Sequence, residues 1–187
     1  MRRAEQILDA VEELIAASGV VDAVGMNAVA RQAGVSPGTL YQYFPHKRAL
    51  VDGLLQRFTE VLRTQTAVAP RVLDARTGAA TESAVDGVAR TVTALAESRP
   101  ALLPLLCGAG PAGEPNVLFQ CLSARLALVL LPDASLHSVE CASGELATRF
   151  LIQGIAVALR HGAPDVRTAT LVQTRAAILA VFESRPA

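Results

Sequence analysis

The sequence predicts an all-α protein, in which a small N-terminal helical unit precedes a larger helical part. Apolar residues recur every three or four positions along most of the chain, which is the period of one helix face. No segment shows the clean alternation of apolar and polar residues that is typical of a half-buried strand. Glycine and proline fall between the apolar runs, where helices would end. Because 51% of the 187 residues are hydrophobic, the chain can bury a substantial core.

The first and fourth helices are predicted from their apolar spacing. The first runs from about Arg3 to Ala17, places its apolar residues on one face and ends before Gly19. The fourth runs from Lys47 to Thr66, leaving the N-terminal unit toward the rest of the chain, and is predicted to be the mechanical link between the two parts. Its apolar residues are Leu50, Val51, Leu54, Leu55, Phe58, Val61 and Leu62.

Helices are also predicted for the rest of the chain. An alanine-rich segment, residues 67–81, contains Pro70 and Gly78 and marks a domain junction or a frayed helix start. Proline residues separate the helices that follow, because proline cannot continue a helix that precedes it. These helices are predicted at 85–96, 101–107, 115–131, 138–161 and 164–183.

The stretch Met26–Lys47 predicts two short helices joined by a tight turn. The first helix is followed by Gly34, which enters the left-handed region at little cost and so ends it. Its apolar face consists of Met26, Val29, Ala30 and Ala33. Ser36 is placed to accept a hydrogen bond from an open amide of the second helix. Pro37 suits the first helical position because its missing N–H would be unpaired there.

The second short helix has the character of a surface that contacts nucleic acid. Leu40 and Phe44, four residues apart, are predicted to face inward. The residues left on or beside the outward face are Gly38, Thr39, Tyr41, Gln42 and Tyr43. No Asp or Glu occurs between Ala23 and Val51, a window that contains Arg31, Lys47 and Arg48. Taken alone, such a run is also compatible with a solvated basic face, but its position beside the turn favours DNA binding.

These residues resemble the helix-turn-helix of the tetracycline-repressor (TetR) family of bacterial regulators. The resemblance is carried by residues 33–44 and 46–50 and covers roughly residues 5–60, about a third of the chain. One departure is Val24-Gly25, where the family usually has Thr or Ser, so the cap before the turn offers no hydroxyl to a phosphate. The implied domains are a helix-turn-helix DNA-binding domain at 1–48 with its motif at about 25–44, a connecting helix at 49–66, and an effector-binding and dimerisation domain at 67–187.

The resemblance also implies roles for the residues that would meet double-stranded operator DNA. Those implied to contact phosphates are Ser36, Tyr41, Tyr43 and Lys47, and those implied to enter the groove are Gly38, Thr39 and Gln42. An amide side chain at 42 is able to read adenine through paired hydrogen bonds, and the methyl group at 39 can meet a thymine methyl. The glycine at 38 permits close approach.

The C-terminal helices are predicted to bind a small-molecule effector and to form a homodimer. The predicted pocket is lined by Leu102, Leu103, Leu106, Phe119, Leu122 and Phe150. These side chains favour a hydrophobic, aliphatic or compact ligand. Apolar residues surround most of the helix at 138–161, so a second chain is expected to cover what one chain cannot. The predicted two-fold interface contains Leu151, Ile155, Leu171, Ile178 and Phe182. A fully internal helix in a monomer is the alternative.

The remaining features point to no other chemistry. The 17 basic and 17 acidic residues give a formal net charge of zero, so the overall charge does not indicate a polyanionic partner. Neither a signal peptide nor a membrane span is predicted, so we expect a cytoplasmic protein. Three cysteines, Cys107, Cys121 and Cys141, form no Cys-x-x-Cys pair and are predicted to be small hydrophobic core residues, with a thiol sensor as the alternative.

Two short motifs resemble parts of a nucleotide-binding loop and of a metal site. Gly108 to Gly113 match G-x-G-x-x-G but follow a helical turn rather than a strand, so we interpret them as a connection between helices. His137 and Cys141 are too few for a metal site. No catalytic residue, metal or cofactor is predicted. The sequence therefore predicts a dimeric, ligand-responsive repressor released from an inverted-repeat operator. The alternative is a helical small-molecule-binding or enzymatic protein that has lost operator binding.

Overall fold

The computed structural model describes residues 2–66, 78–108, 115–130, 138–160 and 163–183, with side chains described except at 78–80, 138–143 and 181–183. The helices are α1 (Arg2–Ser18), α2 (Met26–Gln32), α3 (Pro37–Tyr43), α4 (Lys47–Gln65), α5 (Gly78–Ser98), α6 (Leu102–Cys107), α7 (Val117–Leu130), α8 (Ser138–Arg160) and α9 (Pro164–Glu183), with a short 3₁₀ turn at Val21–Ala23. No β-strand occurs in these ranges, and the all-α prediction is confirmed.

Helices α1, α2 and α3 form the N-terminal unit around a small apolar core. Ile7, Val11 and Ile15 of α1 are fully buried, as are Val29 of α2 and Leu40 of α3. Their spacing along α1 places all three on one face, as the sequence predicted. The side chain of Gln6 donates a hydrogen bond of 2.7 Å to the carbonyl oxygen of Ala33 and thereby ties α1 to the end of α2.

The turn between α2 and α3 adopts the predicted backbone. Gly34 has a φ of 63°, in the left-handed region that favours glycine. Gly25 caps the start of α2 without any side-chain hydrogen bond, since it has no side chain to supply one. The departure noted in the sequence therefore leaves α2 intact and removes only a hydroxyl group from its start.

Helix α4 connects the N-terminal unit to the larger helical body. It packs on α1 near its start and on α7 further along. Leu50 and Leu54 are buried against the N-terminal unit, whereas Phe58 and Leu62 are buried in the second half of the helix. All four belong to one continuous apolar cluster. Through this cluster α4 is a shared element of both parts.

Helices α7 and α8 approach closely at a pair of small residues. A Cβ added at Gly144 would lie 2.5 Å from the carbonyl oxygen of Ser123, so no side chain fits there without moving a helix. The buried Ser123 and Thr148 hydroxyls are hydrogen-bonded at 3.0 Å, and Thr148 also donates to the carbonyl oxygen of Gly144 at 2.8 Å. Close contact and satisfied polar groups together fix how α7 and α8 cross.

Asn116 joins α6 to α7 through its side chain. Its amide nitrogen donates to the carbonyl oxygens of Leu105 at 2.7 Å and Gly108 at 2.5 Å. Its side-chain oxygen accepts from the backbone N–H groups of Leu118 and Phe119, each at 3.0 Å. This cap explains why α7 begins at Val117 rather than at the predicted Pro115.

The other predicted boundaries lie within two residues of those in the structure, except for α5, which begins seven residues before the predicted position 85. Helix α5 begins at Gly78, inside the segment that the sequence marks as a junction, and residues 67–77 of that segment lie outside the described residues. Residues 109–114 of the glycine-rich connection also lie outside them. None of the described helices combines the length and apolar character needed to cross a bilayer.

Candidate nucleic-acid interface

The start of α3 is capped by Ser36, as the sequence predicted. Its Oγ accepts a hydrogen bond of 3.0 Å from the backbone N–H of Thr39, and Pro37 occupies the first helical position. The hydroxyl oxygens of Ser36 and Thr39 also lie 2.9 Å apart, a contact that the sequence did not predict. The two side chains are therefore held together at the exposed beginning of the helix.

The outward side of α3 is polar and aromatic. Leu40 is fully buried and Phe44 is half-buried, so the predicted inward face is confirmed. Tyr41 and Tyr43 are 47% and 45% exposed, and Gln42 is exposed between them. Two exposed tyrosines on one short helix offer rings and hydroxyl groups to an external partner. The helix thus brings the predicted contact residues together on one exposed surface.

Gly38 is not required by the packing of the protein itself. Its backbone is helical, and an added Cβ would meet only the Oγ of Ser36, at 3.8 Å, which is an ordinary contact. The fold would accept alanine at this position. The open space above the backbone is compatible with the predicted close approach of a groove.

Lys47 lies at the edge of this surface and is the only lysine in the sequence. Its Nζ donates a hydrogen bond of 2.7 Å to the backbone carbonyl of Asp22 and lies 3.8 Å from the carboxylate of the same residue. An ammonium group has three protons to donate. The bond to Asp22 therefore positions Lys47 and leaves two protons for a phosphate.

The acid-free window identified in the sequence is flanked by acids that pair with its cations. Asp22, just before the window, contacts Lys47, and Asp52, just after it, lies 3.6 Å from Arg48. Arg31 is exposed on α2. The basic character of this surface is thus lower than the sequence window by itself indicates.

His46 has a structural role that the sequence interpretation missed. Its Nδ1 accepts a hydrogen bond of 3.0 Å from the backbone N–H of Ala49 and caps the start of α4. This cap was missed because Ser, Thr, Asp and Asn are the usual capping residues. The sequence interpretation therefore placed His46 only among the basic residues of this window.

The predicted effector-binding residues occupy different environments. Leu102, Leu106 and Leu122 are buried in the core cluster, and Leu103 is half-buried beside it. Phe119 is buried under the guanidinium group of Arg149, whose carbon lies 5.3 Å from the ring centre. Phe150 requires a correction: it is 40% exposed on the outward side of α8, because its position on the helix turns it away from the core. The pocket itself stays a prediction.

The predicted dimer residues also require a correction. Leu151, Ile155 and Ile178 are buried within one chain, so a partner chain cannot reach them in this arrangement. Leu171 is half-buried, and the side chain of Phe182 lies outside the described residues. Among the described side chains of α8 and α9, the large apolar ones that are exposed make up what we call the outward face: Leu146, Phe150, Val157, Val166 and Val172.

One cysteine is exposed, whereas the sequence predicted that all three are buried in the core. Cys121 is half-buried, but Cys107 is exposed at the end of α6, and both are free thiols. Partial burial raises the pKa of both thiols, which lowers the fraction of reactive thiolate at neutral pH and weakens the sensor alternative. His137 and the side chain of Cys141 lie outside the described residues.

The N-terminal unit is matched by a known family. The model of bacterial regulatory proteins of the tetR family matches residues 7–54, which extend from α1 through the exposed α3 into α4. The family match therefore covers the N-terminal unit and the first part of α4. The turn residues and the cap of α3 that carry the sequence resemblance lie inside this match.

The chain is also similar to curated proteins of different descriptions. The nucleoid occlusion factor SlmA of Vibrio campbellii is 29% identical over 106 residues, which are 57% of this chain and 52% of that protein. The HTH-type transcriptional repressor KstR of Rhodococcus jostii is 47% identical over 60 residues, 32% of this chain and 28% of the repressor. The chain therefore spans about half the length, or less, of these curated relatives.

A solved structure resembles the chain along its whole length. The TetR-family transcriptional regulator from Streptomyces coelicolor superposes with a TM-score of 0.66 and covers 98% of both chains. The sequence identity is 24%, so this likeness concerns the fold alone. It extends the similarity beyond the N-terminal unit to helices α5 to α9.

Proposed function

We propose that this chain is a member of the TetR family and a dimeric transcriptional repressor. It would bind an inverted-repeat operator through α3 and be released by a small molecule bound among its C-terminal helices. The single observation that carries the proposal is the outward side of α3. Gln42, Tyr41 and Tyr43 are exposed there beside a rigid cap, on a helix whose other side is buried. Phosphate contacts position such a helix, and contacts to base edges select the sequence.

The outward face of α8 and α9 supports assembly with a second copy. Leu146, Phe150 and Val157 are four, seven and eleven positions apart, spacings that return to nearly the same side of a helix. Val172 of the neighbouring α9 is also exposed. Large apolar side chains exposed along one side of a helix are unfavourable in water, and a second copy related by a two-fold axis would cover them. Two N-terminal units related by that axis would read an inverted repeat.

The effector part of the proposal is supported by the buried leucines of α6 and α7. Leu102, Leu106 and Leu122 supply aliphatic surface at the centre of the body, where a compact apolar ligand would replace contacts between helices. A ligand releases the operator only if it binds better to a conformation whose reading helices are wrongly spaced. The relative KstR is named a transcriptional repressor, which supports repression rather than activation.

The decisive experiment is selection of duplexes from a random DNA library, followed by a gel-shift titration with excess competitor DNA. We expect an inverted repeat to be enriched, with half-site centres about 34 to 36 Å apart or a multiple of that distance. If no sequence is enriched and binding disappears with competitor, the repressor proposal fails. That result would favour the alternative of a helical small-molecule-binding or enzymatic protein, which a metabolite thermal-shift screen would then test.

Replacing Gln42 by alanine is expected to relax the choice of base at one position of each half-site. The loss on the preferred sequence should be about 1 to 3 kcal/mol, since an amide makes paired hydrogen bonds with one base. Titration against operators that carry each base at every position measures this. Gln56→Ala, the same substitution at an exposed site on α4, is the control and should leave the preference unchanged. A Gln42→Ala variant with wild-type preference would contradict the base-reading role.

Replacing Lys47 by alanine is expected to weaken binding to all sequences alike. The slope of log affinity against log salt should fall by about one unit per half-site, because one phosphate contact is lost. Arg90→Ala, which removes an exposed positive charge from α5, should not change the slope. Because Lys47 is the only lysine, modification with an amine-specific reagent also reports whether DNA protects it. An unchanged slope together with unprotected Lys47 would exclude the phosphate contact.

A further inference from the structure

The C-terminal end of α5 reaches back to the N-terminal unit through one side chain. The Nε of Arg99 donates a hydrogen bond of 2.7 Å to Oε1 of Glu12, and its Nη2 donates to Oε2 of the same carboxylate. Glu12 lies on α1, 87 positions earlier in the chain. A planar guanidinium group that binds both oxygens of a carboxylate fixes orientation as well as distance.

The same guanidinium group also contacts the connecting helix. The carbon of the Arg99 guanidinium lies 4.3 Å from the centre of the Phe58 ring, and Phe58 of α4 is fully buried. A cation over an aromatic face is attracted by the electron density of the ring. Arg99 is thus joined to α1 of the N-terminal unit and to α4, the connecting helix.

The acidic side of α1 faces a second cation. Arg57 of α4 lies 2.6 Å from Asp9 and 3.9 Å from Glu12. The side chains of Arg99 and Glu12 are only 20% and 15% exposed, so salt screens their attraction less than that of a surface pair. Loss of Arg99 would leave Glu12 half-buried, with only the more distant Arg57 as its partner.

The end of α5 is also attached to the helix pair that carries the outward face. Glu97, two positions before Arg99, accepts a hydrogen bond from Arg167 of α9. In the middle of α5, Asp86 pairs with Arg175 of α9 at 2.9 Å. Glu97 and Arg99, two positions apart, therefore contact α9 and the N-terminal unit, respectively.

An open cleft of about 560 Å³ separates α1 from the end of α5. Its walls include Glu13 and Ala16 of α1, Arg57 of α4, and Ser98 and Pro100 at the end of α5. Arg99 and Glu12 also line this cleft and span it. On this side of the molecule, space rather than packed side chains lies beside the bridge, and the apolar cluster along α4 joins the two parts elsewhere. The bridge therefore adds a polar contact where the apolar core supplies none.

We propose that Arg99 is a positioning residue for operator recognition. By binding Glu12 of α1 and Phe58 of α4, it sets the angle between the N-terminal unit and α4. That angle determines the separation of the two α3 helices in a dimer. This inference rests on the proposed function. A loosened unit would bind operators of several spacings with similar affinity, whereas a clamped unit binds one spacing best.

The test uses the full-length chain and the duplex that the wild-type protein selects, together with duplexes in which the spacer is one base pair shorter or longer. For Arg99→Met, which keeps an apolar contact with Phe58 but removes the charge, the preference for the selected spacing should fall on the order of tenfold. Arg99→Lys keeps the charge without the paired hydrogen bonds and should be intermediate. Arg175→Met, the same substitution in another ion pair of α5, should keep the wild-type spacing preference.

The outcomes separate the two proposals. If Arg99→Met keeps the wild-type preference among spacings, the positioning role is overturned, even if its melting temperature falls as much as that of Arg175→Met. If circular dichroism shows that Arg99→Met is unfolded at the assay temperature, the Arg99→Lys spacing profile decides in the same way. A wild-type chain that selects no duplex would instead overturn the proposed function.

Discussion

Replacing Phe150 and Val157 together by glutamate is expected to convert the proposed dimer into monomers and to lower affinity for the inverted repeat on the order of 100-fold or more. Both residues are on the outward face of α8, 40% and 39% exposed. A carboxylate there would have to lose its water when a second copy docks, which is strongly unfavourable. A monomer binds one half-site at a time and loses the gain from linking two N-terminal units. Sedimentation and operator titration measure the two effects.

Two variants distinguish dissociation from unfolding. Ile155→Glu places the same charge in the core, because Ile155 is fully buried, and should abolish the helical circular dichroism signal. Val20→Glu changes an exposed apolar residue of the N-terminal unit and should sediment like the wild type. A folded Phe150→Glu, Val157→Glu double variant that sediments as a dimer over the wild-type concentration range would show that the outward face is not the interface.

Replacing Gly144 by alanine is expected to lower the free energy of unfolding by about 1 to 3 kcal/mol, the usual range for inserting a carbon into a well-packed core. The added Cβ would lie 2.5 Å from the carbonyl oxygen of Ser123 and 3.0 Å from the Cβ of Ala127. A backbone oxygen cannot rotate away, so α7 and α8 must separate. Their separation would also lengthen the buried hydrogen bond between Ser123 and Thr148.

Gly87→Ala is the matched control for this prediction. Gly87 lies in α5, and nothing is within 4 Å of the position where its Cβ would be. Alanine favours the helix over glycine by up to about 1 kcal/mol, so this variant should be more stable than the wild type. Urea titration followed by circular dichroism compares the two. If both alanine variants gain stability, the close contact of α7 and α8 does not limit side-chain size.

The turn between α2 and α3 was predictable because its causes are local. Gly34 ends α2, and Ser36 and Pro37 start α3, through bonds between residues at most three positions apart. The left-handed backbone and the capping hydrogen bond depend on these residue types themselves and little on their surroundings. For the same reason α3 could be assigned an inward side, with Leu40, before its packing was known.

The interface could not be predicted in the same way. Helix α8 is apolar on most sides, and a period of 3.6 residues indicates which residues share a face but not which face meets the chain's own core. Ile155 and Phe150 are both apolar, yet Ile155 is buried and Phe150 is exposed. The difference is set by where α7 and α9 pack on α8, and no residue of α8 encodes it alone.

The sequence by itself determined the helical class, the succession of helices, the turn and the outward side of α3, because hydrophobic period, glycine, proline and capping residues act over a few positions. Only the tertiary structure decided that Asp22 holds Lys47, that Phe150 faces outward, and that Arg99 clamps Glu12 from 87 positions away. Those contacts depend on how helices distant in the chain meet. The arrangement of these helices is set by the burial of apolar surface over the whole molecule, which a local sequence pattern does not reveal.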